Sequence, residues 1–202
     1  MDKILETGDI LLFCNNDGTS YWTIFSDFIK YFTHSNYTHV GMIVKDPSFT
    51  DKNLKGLYLW ESSWEGVPDA EDHELKLGVQ LQPLSIILDK YKNETITYRK
   101  IKYNGNKFND KIMKEIHAVV HNRPYDIVPN DWINGIFRRD TAPQKTSRFW
   151  CSALVGYIYT KCGIIYADTD WSVLRPSDFT LGGENLSFSK DCSLEPCETK
   201  LI

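Results

Sequence analysis

The segment from Cys151 to Gly163 constrains the fold more than any other part of this sequence. Its apolar residues recur at intervals of three and four positions, which is the spacing of one face of an α-helix. That face consists of Cys151, Leu154, Val155, Ile158, Tyr159 and Cys162. Gly163 follows where a glycine commonly ends a helix. The sequence therefore predicts a well-defined helix late in the chain, with a cysteine in its first turn.

Segments with the composition of β-strands dominate the chain before this helix. The residues from Tyr37 to Val44 are mainly β-branched or aromatic, and strict alternation would place Tyr37, His39, Gly41 and Ile43 on one face of a central strand. Further strands are predicted at Asp9 to Phe13, Leu57 to Ser62, Gly78 to Gln82 and Thr95 to Ile101. We therefore expect an α+β fold with an antiparallel sheet of about five or six strands and helices packed on it.

Three more helices are predicted from local patterns. Apolar residues at helical spacing indicate an amphipathic helix from about Ser20 to Thr33. A second helix is expected to begin at Asn109 or Asp110, either of which can cap it, and to end near Asn122. A short helix is predicted from Ile86 to Tyr91.

The remaining segments are expected to be irregular. Residues 129 to 148 have the composition of a connection, and residues 183–202 contain few apolar residues and no period. We interpret residues 1–182 as one domain and residues 183–202 as a polar C-terminal tail without further elements.

Charge and length exclude several classes of protein. The chain has 202 residues, a formal net charge of -4 and no basic run, so a nucleic-acid partner is not expected. Its first residues are acidic where a signal peptide is basic, and no apolar stretch approaches the roughly 18 residues needed to span a bilayer. We expect a soluble, cytoplasmic protein with no transmembrane segment, whose contacts with membranes, if any, are peripheral.

The cysteines and histidines indicate neither a disulfide framework nor a metal cluster. The five cysteines are odd in number and include no CxxC pair; they are Cys14, Cys151, Cys162, Cys192 and Cys197. Free thiols in a reducing compartment are therefore expected. His117 and His121 have the spacing to share a metal ion, but no acidic third ligand is evident near them in sequence, and a solvated helix face is predicted instead. No metal or organic cofactor is expected.

One cysteine has the setting of a nucleophile. A helix N-terminus and a nearby imidazole both favour the thiolate form of a cysteine, and Cys151 opens the predicted helix. His39 lies in the middle of a strand, with Gly41 leaving room beside its ring for a substrate or a neighbouring backbone. Glu61 ends an apolar strand and could orient the imidazole. The alternative for Cys151 is a small buried residue of the core.

Six segments in order resemble a known superfamily. They are GDILLF, YTHVGMIV, LWES, RPYD, FWCSALVGYIYTKCG and LRPSDF. In this order they resemble the circularly permuted papain-like superfamily related to NlpC-type peptidases, and the YiiX type in particular, over roughly residues 5 to 180. The resemblance implies a papain-like fold in which the histidine strand precedes the cysteine helix. It also implies that Cys151 is the nucleophile, His39 the base and Glu61 the third polar member.

The expected activity is that of a cysteine hydrolase, an amidase or peptidase. Cys151 would attack an amide, ester or thioester carbonyl of a peptide, lipid or acyl-conjugate substrate and form an acyl-enzyme. Tyr37 and Ser152 are candidates for contacts with the substrate or the oxyanion. Two alternatives remain open at this point, which are an acyltransferase or phospholipase on the same scaffold and a binding module without catalysis.

Overall fold

An antiparallel sheet forms the centre of the computed structural model, which describes residues 4–14, 36–50, 52–126, 145–183 and 185–202. The strands are β1 (Ile10–Cys14), β2 (Tyr37–Lys45), β3 (Leu57–Trp64), β4 (Leu77–Pro83), β5 (Thr95–Arg99), β6 (Ile101–Lys102), β7 (Ser193–Leu194) and β8 (Thr199–Lys200). Six of them form one sheet in the order β4-β3-β2-β1-β5-β8, and β6 pairs with β7 separately. The predicted α+β fold with an antiparallel sheet of this size is confirmed.

Three α-helices accompany the sheet within the described residues. They are α1 (Leu84–Lys90), α2 (Asp110–Val120) and α3 (Cys151–Lys161). The Oδ1 atom of Asn109 accepts a hydrogen bond from the backbone N–H of Ile112 at 3.1 Å, so the predicted cap is confirmed. None of the helices in these ranges is long and apolar enough to span a membrane. The helix predicted from Ser20 to Thr33 and most of the connection predicted at 129–148 lie outside the described residues.

The two faces of the sheet bury separate apolar clusters. One face, with Val40, Met42 and Trp60, packs against α2 and α3. The opposite face, with Ile43 and Leu59, packs against α1. Residues that alternate along each strand thus enter different clusters, which is the consequence of the period of two in a β-strand.

Helix α3 is buried more completely than the single apolar face in its sequence predicts. Every residue from Cys151 to Tyr159 is buried. The sheet covers one side, and a 3-10 helix at Trp171–Val173 covers another. Gly156 permits this second contact, because a Cβ atom there would lie 2.6 Å from the Cδ1 atom of Leu174. Cys151 therefore belongs to a rigid, fully packed element.

A register shift in β2 changes which residues share a face. Phe13 pairs with His39, but the next residue, Cys14, pairs with Tyr37, so one residue of β2 is bulged. Paired residues point to the same side of a sheet, and Phe13 and Cys14 point to opposite sides. Tyr37 and His39 consequently lie on opposite faces, and the prediction from strict alternation is wrong for Tyr37.

The last residues of the chain contribute strands, contrary to expectation. Strand β8 pairs with β5 at the edge of the main sheet, and β7 pairs with β6. Leu194 is buried in the first cluster, and Leu201 and Ile202 pack against the second. An exposed sheet edge offers unpaired N–H and C=O groups, so even a polar segment can be ordered there by backbone pairing. The domain boundary between residues 182 and 183 stays a prediction.

Candidate active site

Strands β2 and β3 stop pairing at the end where the predicted site lies, and we call this separation the split. Their pairing runs from Lys45 and Leu57 to Met42 and Trp60 and ends there. Glu61 comes directly after Trp60 and His39 comes three residues before Met42, both on the face that carries Ile43 and Leu59. Helix α3 contacts both strands. The split therefore gives the start of α3 access to side chains that the sheet would otherwise cover.

The chain enters α3 along a fixed path. The carbonyl of Phe149 accepts hydrogen bonds from the Ser62 hydroxyl at 2.7 Å and from the backbone N–H of Asp126 at 3.2 Å. The carbonyl of Leu174 accepts from the Ser152 hydroxyl at 2.7 Å. These bonds tie both sides of Cys151 to neighbouring segments, so the position of its thiol is set by the fold.

The first turn of α3 offers backbone donors beside the thiol. The N–H of Leu154 makes the first bond of the helix, to the carbonyl of Trp150 at 3.1 Å. The N–H groups of residues 151 to 153 precede that bond and have no acceptor within the helix. They lie at the positive end of the helix dipole, where a developing oxyanion is stabilised.

His39 lies between Glu61 and Cys151. Its Nε2 atom is 2.6 Å from the Oε2 atom of Glu61. The Cys151 thiol is also placed to hydrogen-bond the imidazole, and this interaction contributes to raising the pKa of His39. The ring of Phe13 packs on the imidazole with a centroid separation of 5.1 Å. The structure thus brings the three predicted residues together, although more than half of the chain separates the first from the last.

The environment of the pair raises the pKa values of both His39 and Glu61. Burial lowers the pKa of His39, but the hydrogen bonds with Cys151 and Glu61 outweigh burial and raise the pKa well above its usual value. Burial and the nearby charge of Glu65 raise the pKa of Glu61, and the bond to His39 opposes them. Because the two groups are 2.6 Å apart and share one hydrogen bond, their titrations are linked.

A second acidic residue, Glu65, interacts with Glu61 and has partners of its own. The buried carboxylate of Glu65 forms an ion pair with Lys90 of α1 and accepts from the Tyr91 hydroxyl at 3.1 Å. It also accepts from the Ser63 hydroxyl at 2.8 Å. Glu65 is thereby fixed close enough to Glu61 to raise the pKa of Glu61, which makes it part of the electrostatic surroundings of the site.

Tyr125 is a neighbour of Cys151 that the sequence patterns did not identify as a site residue. It forms a bridge with Phe149, two positions before the cysteine. Burial and electrostatic interactions with Cys151 and Asp126 raise the pKa of Tyr125 well above its usual value, so the phenol stays protonated. Its only sequence signal was membership of the RPYD segment, which carried the family resemblance without a role for the tyrosine.

The two candidates for substrate or oxyanion contacts are placed differently from each other. The hydroxyl of Tyr37 donates to Glu198 of the C-terminal segment, on the face of the sheet opposite His39. Burial and this bond to Glu198 raise the pKa of Tyr37. The Ser152 hydroxyl uses its one hydrogen on the Leu174 carbonyl. Ser152 can therefore offer an oxyanion its backbone N–H, whereas its hydroxyl fixes the start of α3.

The space beside Gly41 is occupied by the protein itself. A Cβ atom on Gly41 would lie 2.6 Å from the Cδ1 atom of Leu59. The expectation that Gly41 leaves room for a substrate is therefore wrong. Its lack of a side chain instead lets Leu59 of β3 pack closely against β2.

The other cysteines have different surroundings, and none of the five, all within the described residues, forms a disulfide. Burial raises the pKa of the Cys162 thiol to about 12, because the core excludes the water that would solvate a thiolate. Cys162 is thus an unreactive core residue, in agreement with its position on the apolar face of the predicted helix. Cys192 is also buried, and Cys197 is exposed.

The histidines of α2 do not lie on a solvated face. His117 packs against Phe49 and Trp60, and 15% of its side chain is exposed. Glu71, from a distant loop, lies against both His117 and His121. The prediction of a solvated face is wrong, because sequence separation conceals the loop that covers these residues.

Comparisons with known proteins show similarity in structure but not in sequence. No family model matches the sequence, and no curated protein matches it. Among solved structures, the chain is similar to the metalloprotein YiiX from Escherichia coli O157:H7, with 15% sequence identity and a TM-score of 0.46. The similarity covers 94% of this chain and 96% of that chain. At this degree of likeness, the interpretation of the site depends on the geometry of this chain's own residues.

Proposed function

We propose that the protein is a cysteine-dependent hydrolase that cleaves an amide, ester or thioester through an acyl-enzyme on Cys151. The observation that carries this proposal is the position of His39, whose Nε2 atom lies 2.6 Å from Glu61 and whose ring also interacts with the Cys151 thiol. A nucleophile, a base and a group that orients the base are the three parts of this chemistry. The order of these residues along the chain also agrees with the resemblance to the permuted papain-like superfamily.

The reaction follows from the arrangement of these groups. His39 accepts the thiol proton, and the Cys151 sulfur attacks the substrate carbonyl carbon to form a tetrahedral intermediate. The N–H groups at the start of α3 stabilise the negative oxygen. His39 then donates the proton to the leaving amine, alcohol or thiol, and a thioester with Cys151 remains. Water, deprotonated by His39, attacks that thioester and releases the acid and the free thiol.

The role of Glu61 in this proposal is to position the imidazole. Its hydrogen bond to Nε2 leaves Nδ1 available to the thiol and stabilises the imidazolium that forms when the thiol loses its proton. Because Glu61 is 1% exposed, little water screens its interaction with His39.

Thiol labelling tests the proposal before a substrate is known. The wild-type chain and the His39→Ala variant would be treated with iodoacetamide between pH 5 and pH 9, and the modified cysteine would be identified by mass spectrometry. We expect rapid labelling of Cys151 that persists below pH 7 in the wild type and becomes slow without His39. His73→Ala is a matched control, since His73 is an exposed loop residue.

Either of two results would contradict the proposal. One is labelling of Cys197 while native Cys151 stays inert; the other is labelling of Cys151 at the same rate in the His39→Ala variant. If labelling agrees, a panel of amide, ester and thioester compounds should give an acylated Cys151 peptide. The released product then distinguishes transfer to water from transfer to another acceptor.

A further inference from the structure

A cluster of two histidines and one glutamate lies away from the candidate active site. His117 is in the last turn of α2, and His121 caps the helix one turn later. The Oε2 atom of Glu71 is 2.8 Å from Nε2 of His117 and 3.4 Å from Nδ1 of His121. One ligand atom from each of the three residues lies within 4.8 Å of the others. We propose that Glu71, His117 and His121 bind a divalent transition-metal ion of the zinc class.

The loop that carries Glu71 is held in place by a buried carboxylate. Oδ1 of Asp69 accepts from the backbone N–H of Glu71 at 2.7 Å, and Oδ2 accepts from the N–H of Leu81 in β4 at 2.8 Å. The Asp69 N–H donates to the carbonyl of Glu74 at 2.9 Å, which closes the loop. Glu71 is therefore presented to α2 by a backbone that is already ordered, and a metal ion would not have to organise it.

A second carboxylate supports one of the histidines. Oδ2 of Asp72 lies 4.0 Å from Nε2 of His121, the ring nitrogen that does not face Glu71. Asp72 is itself paired with Lys76 at 2.6 Å. Metal-binding histidines commonly direct their second nitrogen toward a carboxylate, which fixes the ring and increases its basicity. The cluster thus has outer partners as well as three ligands.

The surroundings differ on the two sides of the cluster. Phe49 and Trp60 stack on each other at 4.8 Å and lie beside the His117 ring. This aromatic wall excludes water and strengthens the attraction between a cation and Glu71. The side chain of His121 is 33% exposed, so the opposite side is open. An ion can enter there and keep a water molecule as its fourth ligand.

Two imidazoles and one carboxylate select the class of ion. Zinc binds such ligands at about 2.0–2.2 Å, which places the ligand atoms roughly 3–4 Å apart, and two of the three separations are already close to that range. Calcium and magnesium prefer all-oxygen sites. The bound ion would join the loop of Glu71 to the end of α2, just before the segment that contains Tyr125. This site would stabilise the fold, and the proposed hydrolysis does not require it.

Cobalt titration tests the site. The full chain would carry Cys151→Ala, so that the thiol near His39 cannot bind metal, and Co²⁺ would be followed by its visible absorption. We expect one equivalent with the intense bands of four or five ligands, displaced by one equivalent of Zn²⁺. His121→Gln and Glu71→Gln should each weaken binding by about 10- to 100-fold or more. Zn²⁺ should raise the melting temperature of the parent more than that of either variant.

His73→Gln is the matched control, since this exposed histidine lies on the same loop, two residues after Glu71. It should bind Co²⁺ as the parent does. Unfolding in urea without metal will show whether each variant is folded. The proposal is overturned if the folded parent gives no such bands, or if folded His121→Gln and Glu71→Gln variants bind with the parent's affinity. Either result would identify the cluster as histidines hydrogen-bonded to a glutamate.

Discussion

Glu61 is a buried acid whose proposed effect on the reactivity of the site is indirect, through His39. One of its oxygens meets His39, and the other has no hydrogen-bond partner among the described residues. A half-satisfied buried carboxylate is costly, and no packing requirement explains it in a strand of apolar neighbours. We propose that its benefit comes through His39, to which it hydrogen-bonds and whose pKa it helps to raise.

Replacing Glu61 with Gln removes that charge while it keeps the shape of the side chain. We expect the rate of Cys151 modification or acylation to fall by about 100-fold, which is within the usual contribution of general base catalysis. The pKa of His39 should fall as well, since the charge of Glu61 contributes to raising it. NMR titration of the histidine ring measures the second effect directly.

Glu115→Gln is a suitable control for Glu61→Gln, because Glu115 is exposed on α2. It should change neither the labelling rate nor the titration of His39. An unchanged His39 pKa in a folded Glu61→Gln variant would show that Glu61 does not act through the imidazole.

At the scale of elements, the segment after α2 connects the sheet to the candidate site. The N–H of Val79 donates to the carbonyl of Arg123 at 2.9 Å, and the N–H of Tyr125 donates to the carbonyl of Leu77 at 3.0 Å. The segment therefore lies along β4 as a partner to that edge before it reaches Phe149. This contact sets the position of Tyr125 beside Cys151.

Gly78 makes that contact possible, and Gly78→Ala should disrupt it. A Cβ atom there would overlap the carbonyl oxygen of Arg123 and lie 2.9 Å from Cα of Pro124, which are backbone atoms that cannot turn aside. We expect a loss of about 1–3 kcal/mol in the free energy of unfolding, measured with urea. The rate of Cys151 labelling should also fall, because the substitution would displace Tyr125 from its position beside Cys151.

Gly182→Ala provides the comparison for this substitution, since an added Cβ there meets no atom within 4 Å. Its stability should equal that of the wild type. If the Gly78→Ala variant were as stable as the wild type, the segment could move away from β4 without a cost in free energy.

Local patterns in the sequence predicted the elements better than the relations between them. The period of α3 and the cap at Asn109 are local, and both were found as expected. The bulge in β2 was missed because it depends on pairing with β1, and it moved Tyr37 to the other face. Glu71 was missed as a partner of His117 because the loop and the helix are distant in sequence. His39, Glu61 and Cys151 were predicted together mainly because the order of the segments around them resembles the permuted papain-like superfamily, since each residue alone also suited a packing or solvated role.

At the scale of the molecule, the main sheet has little open edge, because one edge strand, β8, has only two residues and the other, β4, is partly covered. Strand β8 lies along β5, and residues 123 to 125 lie along part of β4. Free edges promote association between chains, so covering them favours a monomeric sheet. The core beneath the sheet contains several groups that stay neutral because they are buried, and Cys162 is the clearest of them.

The thiol of Cys162 should make stability depend on pH in alkaline solution. Its pKa is raised by burial from 9.0 to about 12, so the folded state keeps a proton that the unfolded state loses. This contribution is complete below pH 9 and is lost as the pH rises from 9 towards 12, by up to about 1.4 kcal/mol per pH unit. Urea unfolding at several pH values should show a shallower decline for Cys162→Ala than for the wild type.

The comparison depends on the slope with pH, because the Cys162→Ala variant also loses packing at every pH. Cys197→Ala removes an exposed thiol and should leave the slope unchanged. Parallel curves for wild type and Cys162→Ala would show that the buried thiol does not contribute to alkaline unfolding.

The split between β2 and β3 has a consequence for the newly made chain. His39 and Glu61 leave the ribosome long before Cys151 does, and local folding cannot bring the Cys151 thiol to the His39 imidazole. The two meet only when α3 packs against β2 and β3 and the hydrogen bond between Ser62 and Phe149 forms. The time at which rapid Cys151 labelling begins during refolding should therefore report when this late docking step occurs. This measurement is independent of the signals that report secondary structure.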